Sequence, residues 1–205
     1  MTRWSDAVGD DSGERYQTRM AALSASGQAM HGEADFVAGL VTAGSRVLDA
    51  GCGTGRVAVE LGARGFDVVA ADVDASMLAV ARRSAQDVVW LQRDLAALEP
   101  EDPELGGAFD VVLAAGNVVP LLAEGTEADV IRRLAGCLGA RALLVAGFGT
   151  DVEHLPLDEV PVTLEDYDDW CAGAGLILRE RFLTWDREPF EADQGYAVSV
   201  HARRA

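Results

Sequence analysis

The 205-residue sequence predicts an α/β fold: a parallel sheet with helices on both faces, finished by an antiparallel hairpin. Three observations carry this. From about residue 46, near-continuous apolar runs alternate with segments of helical spacing, the pattern of strands buried on both sides. Two strand-like runs close the chain, 176–185 and 196–204, with no helix between them, which makes them an antiparallel pair. The first apolar run ends in three glycines at alternate positions, a turn in which a ligand can approach bare backbone.

The elements follow in order. "RVLDA", Arg46–Ala50, is the first strand. After it Val57, Ala58 and Leu61 share a helical face, Glu60 and Arg64 form an i,i+4 pair, and Gly65 stops the helix. "FDVVAAD", ending at Asp72, is the second strand. Asp74 caps a helix that turns Met77, Leu78 and Ala81 inward and leaves Arg82 and Arg83 to water. "DVVWLQRD", ending at Asp94, is the third strand and "FDVVLAAG", Phe109–Gly116, the fourth. Thr126 caps a helix with Val130, Ile131, Leu134, Cys137 and Leu138 on one face, closed by Gly139. "RALLVAGFG", Arg141–Gly149, is the fifth strand. Thr163 caps a last helix, which carries Leu164, Tyr167, Cys171 and Ala174 and ends at Gly175. In the final strand, the alternation of His201 with Ser199 and Arg203 predicts a solvent-facing histidine. Before the sheet, Tyr16, Met20 and Leu23 have i, i+4, i+7 spacing, as do Glu33, Val37 and Leu40. These predict two helices broken near Ser24–Gln28.

Composition narrows the function classes. Seventeen Lys and Arg against 34 Asp and Glu give a net charge of −17, a field that repels phosphate backbones, so no nucleic-acid partner is expected. No apolar run approaches the ~20 residues of a membrane span, and no secretory h-region opens the sequence. Cys52, Cys137 and Cys171 are odd in number, far apart and without CxxC spacing. Free thiols in a reducing cytoplasm are expected, with no metal site.

In a doubly wound sheet, ligands bind beyond the carboxyl ends of the strands, where the strand order reverses. The turn Gly51-Cys52-Gly53-Thr54-Gly55 lies at such an end, and the helix after it points free N–H groups at the site. The plain alternative is an ordinary strand-to-helix turn. Asp72 and Asp94 end the next two strands, each either a hydroxyl acceptor or a solvated cap. The dinucleotide fingerprint G-x-G-x-x-G would need glycine at position 56, which is arginine.

The stretches "VLDAGCGTGRVAVEL" and "DVVAADVDASMLAVAR" closely resemble the class I S-adenosylmethionine-dependent methyltransferases. The resemblance extends from about residue 30 to the end. "HGEADF", His31–Phe36, and "TWD", Thr184–Asp186, are similar to segments of small actinobacterial-like members. It implies a seven-stranded Rossmann-like methyltransferase sheet in one domain, 1–205, with 1–44 as a helical lid and 45–205 as the cofactor-binding core. It implies S-adenosylmethionine as cofactor and S-adenosylhomocysteine as product. Asp49, Ala50 and Gly51 would face the methionine end, beside the open turn at Gly53. Asp72 would accept both ribose hydroxyls, and Val73 and Met77 would flank the adenine. Asp94 and the Leu95 backbone would read the adenine edge, and Ala115 would offer its carbonyl to the ammonium.

The expected activity is O- or N-methylation of a small-molecule acceptor, because little chain lies outside the sheet to hold a macromolecule. A non-catalytic S-adenosylmethionine-binding regulator and a nicotinamide-dependent oxidoreductase are the alternatives. An acceptor that must lose a proton needs a base, and histidine is best tuned for it. His31, opening "HGEADF", and His154, in the loop after the fifth strand, are the candidates, each otherwise a capping or hydrogen-bonding residue. Asn117, just after the fourth strand, lies near the methyl path, but "GNVVPLL" departs from the Asp/Asn-Pro-Pro-Tyr/Phe motif of nucleic-acid and glutamine amino methylation. Tyr16 and Trp185 are open between core packing and the rim of the site. Oligomeric state is not readable from the sequence.

Overall fold

The computed structural model describes residues 2–4, 12–25 and 30–204. Seven strands form one sheet: β1 (Arg46–Ala50), β2 (Asp67–Asp72), β3 (Val89–Gln92), β4 (Phe109–Ala114), β5 (Leu138–Gly149), β6 (Leu176–Phe182) and β7 (Tyr196–Arg203). Their order is β3-β2-β1-β4-β5-β7-β6, parallel except for β7, which runs antiparallel between β5 and β6. Chain order therefore reverses between β1 and β4, and the first glycine turn opens there. The helices are α1 (Ser12–Ala25), α2 (Gly32–Ala38), α3 (Arg56–Ala63), α4 (Ala75–Ser84), α5 (Glu127–Gly136) and α6 (Leu164–Gly173).

The apolar runs read as they do because successive strand residues enter two different cores. Val47, Val68, Ala70 and Val111 pack with Val57, Ala58 and Leu61 of α3 and with Phe36 and Val37 of α2. Their neighbours Leu48, Val69, Ala71 and Val112 pack with Ile131 and Leu134 of α5 and Tyr167 of α6. Each fully buried Val or Leu contributes about 1.5–3 kcal/mol of transfer free energy.

Local signals decide most boundaries. Asp74 Oδ1 accepts the Ser76 and Met77 N–H groups at 2.8 and 3.3 Å. Thr163 and Asp166 form a capping box at the start of α6. Glu60 and Arg64 pair at 2.8 Å on α3. Other expectations need correction. Thr126 stands at the N-cap of α5, but its hydroxyl donates to the Ala123 carbonyl at 2.7 Å instead of capping. α5 ends at Gly136, and Gly139 lies inside β5, because pairing of Phe109 with Leu138 draws the chain into the sheet early. Leu40 follows α2, which ends at Ala38. The side chain of Leu23 and residues 26–29, where the helix break was expected, lie outside the described residues.

His201 is the largest correction: it is 1% exposed, not solvent-facing. Alternation fails here because β7 is an interior strand with α6 over its second face. His201 Nε2 lies 3.2 Å from Asp168 Oδ1, which also accepts from Arg181 at 2.6 Å, and the Tyr167 ring meets it edge-on. Burial lowers its pKa below the ordinary 6.5; Asp168 opposes and Arg181 adds to the shift. The unfolded chain then binds more protons below pH 6.5, so this contribution to stability is full above that value and is lost as pH falls below it, by at most about 1.4 kcal/mol per pH unit. Urea midpoints measured from pH 7 to 5 should fall less steeply in His201→Gln than in the wild type. Equal slopes would show that folding leaves the His201 pKa unchanged.

Candidate active site

The three glycines of the first turn all have positive φ, but they serve different ends. A Cβ on Gly51 would lie 2.5 Å from Val118, and one on Gly55 would strike the Trp90 ring and Ala81. These two permit close packing. Among the described residues, chain neighbours aside, a Cβ on Gly53 would meet nothing nearer than Met77 Sδ at 4.0 Å, so its bare face opens onto space. That space is a cavity at the carboxyl ends of the strands, the place where ligands bind in open α/β sheets.

Carboxylates from three successive strand ends line it. Asp72, ending β2, accepts the Gly53 N–H at 2.7 Å through Oδ2 and the Asp74 N–H at 2.8 Å through Oδ1. It thereby fixes the glycine turn while each oxygen keeps a lone pair for a ligand donor. Burial raises its pKa, against these backbone bonds. Asp94, following β3, accepts the Ala96 N–H at 2.9 Å. Asp49 on β1 is buried, and its Oδ2 has no hydrogen-bond partner. Burial raises its pKa to about 7; Arg56 lowers it, and Asp72 and Glu33 add to the rise. Met77, Leu95 and Val73 supply apolar wall, and Ala115 closes the β4 side. Ala50 differs from its neighbours: its side chain is in the core on the α5 face.

Sequence reasoning missed part of this wall. Thr2 and Trp4 line the cavity, beside Tyr16, whose place was open. Trp4 Nε1 donates to Asp74 Oδ2 at 3.1 Å, and Arg3 donates to Glu127 at 2.8 Å and to the Leu122 carbonyl at 3.1 Å. Three residues at the start of a chain carry no periodicity, so nothing local announces such a strap. Arg56, seen in the sequence only as a departure from a fingerprint, ties the first segment to the core: it donates to both oxygens of Glu33 and to the Met30 carbonyl.

The three expected catalytic side chains are not among the lining residues. His31 turns to the outside of α3, where Nδ1 lies 3.3 Å from Glu60, because Glu33 and not His31 is held inward by Arg56. Asn117 has a φ of 68° and acts as a clamp. Its Oδ1 accepts the Gly149 N–H at 2.7 Å and its Nδ2 donates to the His154 carbonyl at 2.9 Å. His154 lies in a second recess, with Leu183, Thr184, Trp185, Gln194 and Tyr196. Trp185 also packs edge-on against Phe36 of α2, which combines the two places the sequence left open for it. Among the described residues, no group of three or more His, Cys, Asp or Glu is placed to hold a metal ion, and no helix is long and apolar enough to cross a membrane.

A parallel sheet with one reversed strand, and a glycine turn and strand-end carboxylates at its switch point, define the Rossmann-like class of nucleotide-ligand folds. Residues 47–140 match the family model of a methyltransferase domain. The crystal structure of a TehB-like SAM-dependent methyltransferase from Corynebacterium glutamicum superposes with a TM-score of 0.83 at 29% identity, covering 94% of this chain and 98% of that one. A magnesium-protoporphyrin O-methyltransferase from Rhodobacter capsulatus is 38% identical over 76 residues, 37% of this chain and 34% of the relative. A demethylmenaquinone methyltransferase from Beutenbergia cavernae is 31% identical over 144 residues, 69% of this chain and 56% of the relative. The chain thus spans between about a third and just over half of the length of these curated relatives. Residues 47–140 therefore match a methyltransferase domain, and the fold is the one seen in the TehB-like SAM-dependent methyltransferase.

Proposed function

We propose that the protein binds S-adenosylmethionine in the glycine-turn cavity and transfers its methyl group to the oxygen or nitrogen of a small-molecule acceptor in the cytoplasm. The observation that carries this is the pairing of an open backbone at Gly53 with the buried, unpartnered oxygen of Asp49 in one cavity. A buried carboxylate oxygen without a donor is costly, and a ligand ammonium would supply the missing partner. Asp49 and the Gly51 turn suit the methionine end, and Asp72 the ribose hydroxyls. Val73 and Met77 suit the adenine faces, with Asp94, Leu95 and Ala115 completing the wall. When bound, the cofactor supplies a methyl group already activated by its sulfonium. The chain's own task is to position the acceptor in line and exclude water, which can lower a barrier by roughly 7–11 kcal/mol.

Calorimetric titration tests the reading. S-adenosylmethionine and S-adenosylhomocysteine should bind at one saturable site, and NAD should not. Saturable NAD binding would favour the oxidoreductase, and cofactor binding without turnover of any acceptor would favour the regulator. Asp72→Ala should weaken S-adenosylhomocysteine binding by roughly tenfold to a hundredfold, the loss of charged-acceptor bonds worth about 1.5–3 kcal/mol. Because Asp72 also holds two backbone N–H groups, thermal stability should fall as well. Asp72→Asn, which keeps an acceptor, should bind better than the alanine variant. Unchanged affinity in Asp72→Ala would move the ribose elsewhere.

Thr2, Trp4 and Tyr16 support a lid function for residues 1–44, since these three line the same cavity. Closure of such segments excludes water from the reaction. Cofactor should slow amide exchange between Tyr16 and Phe36; exchange indifferent to cofactor would leave the segment a static wall.

A further inference from the structure

Resting on the methyl-transfer reading, we infer that the second recess is the acceptor subsite, that it takes a hydroxylated aromatic ring, and that His154, oriented by Asp151, removes the hydroxyl proton.

The recess lies on the same edge of the sheet as the first cavity. It is formed where the end of β5, the turn after β6 and the start of β7 meet. Asn117 joins the two. Its chain neighbours Gly116 and Val118 line the first cavity, and its amide holds the His154 carbonyl. Tyr196, in the recess, also lies within the electrostatic reach of Glu33 and Arg56, and Arg56 lines the first cavity.

The lining selects a flat, uncharged or weakly polar ring. Trp185 and Tyr196 present aromatic surface, which favours offset or edge-on contact with another ring. Thr184 lines the recess, and its buried Oγ1 has no hydrogen-bond partner among the described residues. Asp151 and Glu33 nearby, within a chain of net charge −17, disfavour an anionic acceptor.

Asp151 and His154 form a constructed pair. Asp151 Oδ1 is 2.8 Å from His154 Nδ1 and accepts the His154 backbone N–H at 3.0 Å. With Nδ1–H on the carboxylate, Nε2 is left as the proton acceptor. Gly195, with φ of +73°, makes room for the pair: a Cβ there would strike the Asp151 carboxyl group and lie 2.6 Å from His154 Nδ1. The His154 bond also holds the Asp151 carboxyl below the usual carboxylate range. In the reaction the acceptor proton would pass to Nε2 as the oxygen's electron pair bonds the methyl carbon, the S–CH3 bond breaking with its pair left on the sulfur of S-adenosylhomocysteine. Asp151 stabilises the imidazolium, which returns the proton to water.

The test uses the full chain saturated with S-adenosylhomocysteine and four probes: phenol, catechol, 1-naphthol and 7-hydroxycoumarin. At least one should shift the Trp185 indole N–H resonance, assigned with Trp185→Phe. With a tritiated-methyl donor, His154→Gln should lower kcat for that probe by about a hundredfold, as for loss of a general base. KM and S-adenosylhomocysteine affinity should stay within about threefold. Asp151→Asn and Gly195→Ala should lower kcat in the same sense, whereas a merely structural rim would move KM or folding. No probe shifting Trp185 in cofactor-loaded protein, or wild-type kcat in His154→Gln, would overturn the assignment. Failure of S-adenosylhomocysteine to bind at all would instead overturn the methyl-transfer reading beneath it.

Discussion

Gly53→Val is expected to abolish S-adenosylhomocysteine binding, a loss of at least about a hundredfold, while the sheet stays folded. A hundredfold corresponds to about 2.7 kcal/mol, a modest demand on a side chain that would occupy ligand space. Chain neighbours aside, the new Cβ has no atom of the described residues nearer than 4.0 Å, so their packing is kept. What it loses is backbone ease, since φ of +54° costs an L-residue roughly 1–2 kcal/mol. Gly55→Ala is the contrasting control. Its methyl would run into Trp90 and Ala81, so it should lower the unfolding temperature more than Gly53→Val. Calorimetry beside thermal unfolding separates the two. A folded Gly53→Val protein that binds normally would reduce the turn to a structural feature.

The second large effect is a pH dependence of cofactor affinity. Asp49 has a pKa of about 7 in the ligand-free protein, against an ordinary 3.8, chiefly through burial. A raised carboxyl pKa means that the folded state prefers the proton. The stability tied to that proton is present below the unfolded pKa and lost as pH climbs toward 7, about 4 kcal/mol in all. A ligand ammonium beside Oδ2 reverses the preference and expels the proton. Affinity should therefore rise with pH below about 7, by at most about tenfold per unit, and level off above it. Binding at pH 6 should release protons, seen as heats that vary with the buffer's ionisation enthalpy. Asp49→Asn should lose this release and bind weakly at every pH, because a neutral amide leaves the ammonium without a counter-charge. Proton release that persists in Asp49→Asn would assign the titration to Asp72, whose pKa burial also raises.

Much of this site could be read before the fold was known. Strand ends, caps and the glycine turn are local: they depend on residues within a turn or two of one another, which is why Asp49, Asp72 and Asp94 fall where the sequence set them. His201 was misread because alternation reports which residues share a face, not whether a helix covers that face. His31 lies off the cavity wall because Arg56, 25 positions later, holds Glu33 inward, which its own segment does not reveal.

The sequence by itself determined the strand-helix alternation and the acidic, open character of the glycine-turn cavity, because strand burial, helical spacing and glycine freedom are properties of short stretches. Only the tertiary structure decided that Gly53 faces the cavity while Gly51 and Gly55 face side chains. It alone left one oxygen of Asp49 without a donor, and it brought Asp151, His154 and Gly195 together. These outcomes depend on which distant groups fill the space and desolvate the charges around each residue, and no local pattern encodes that.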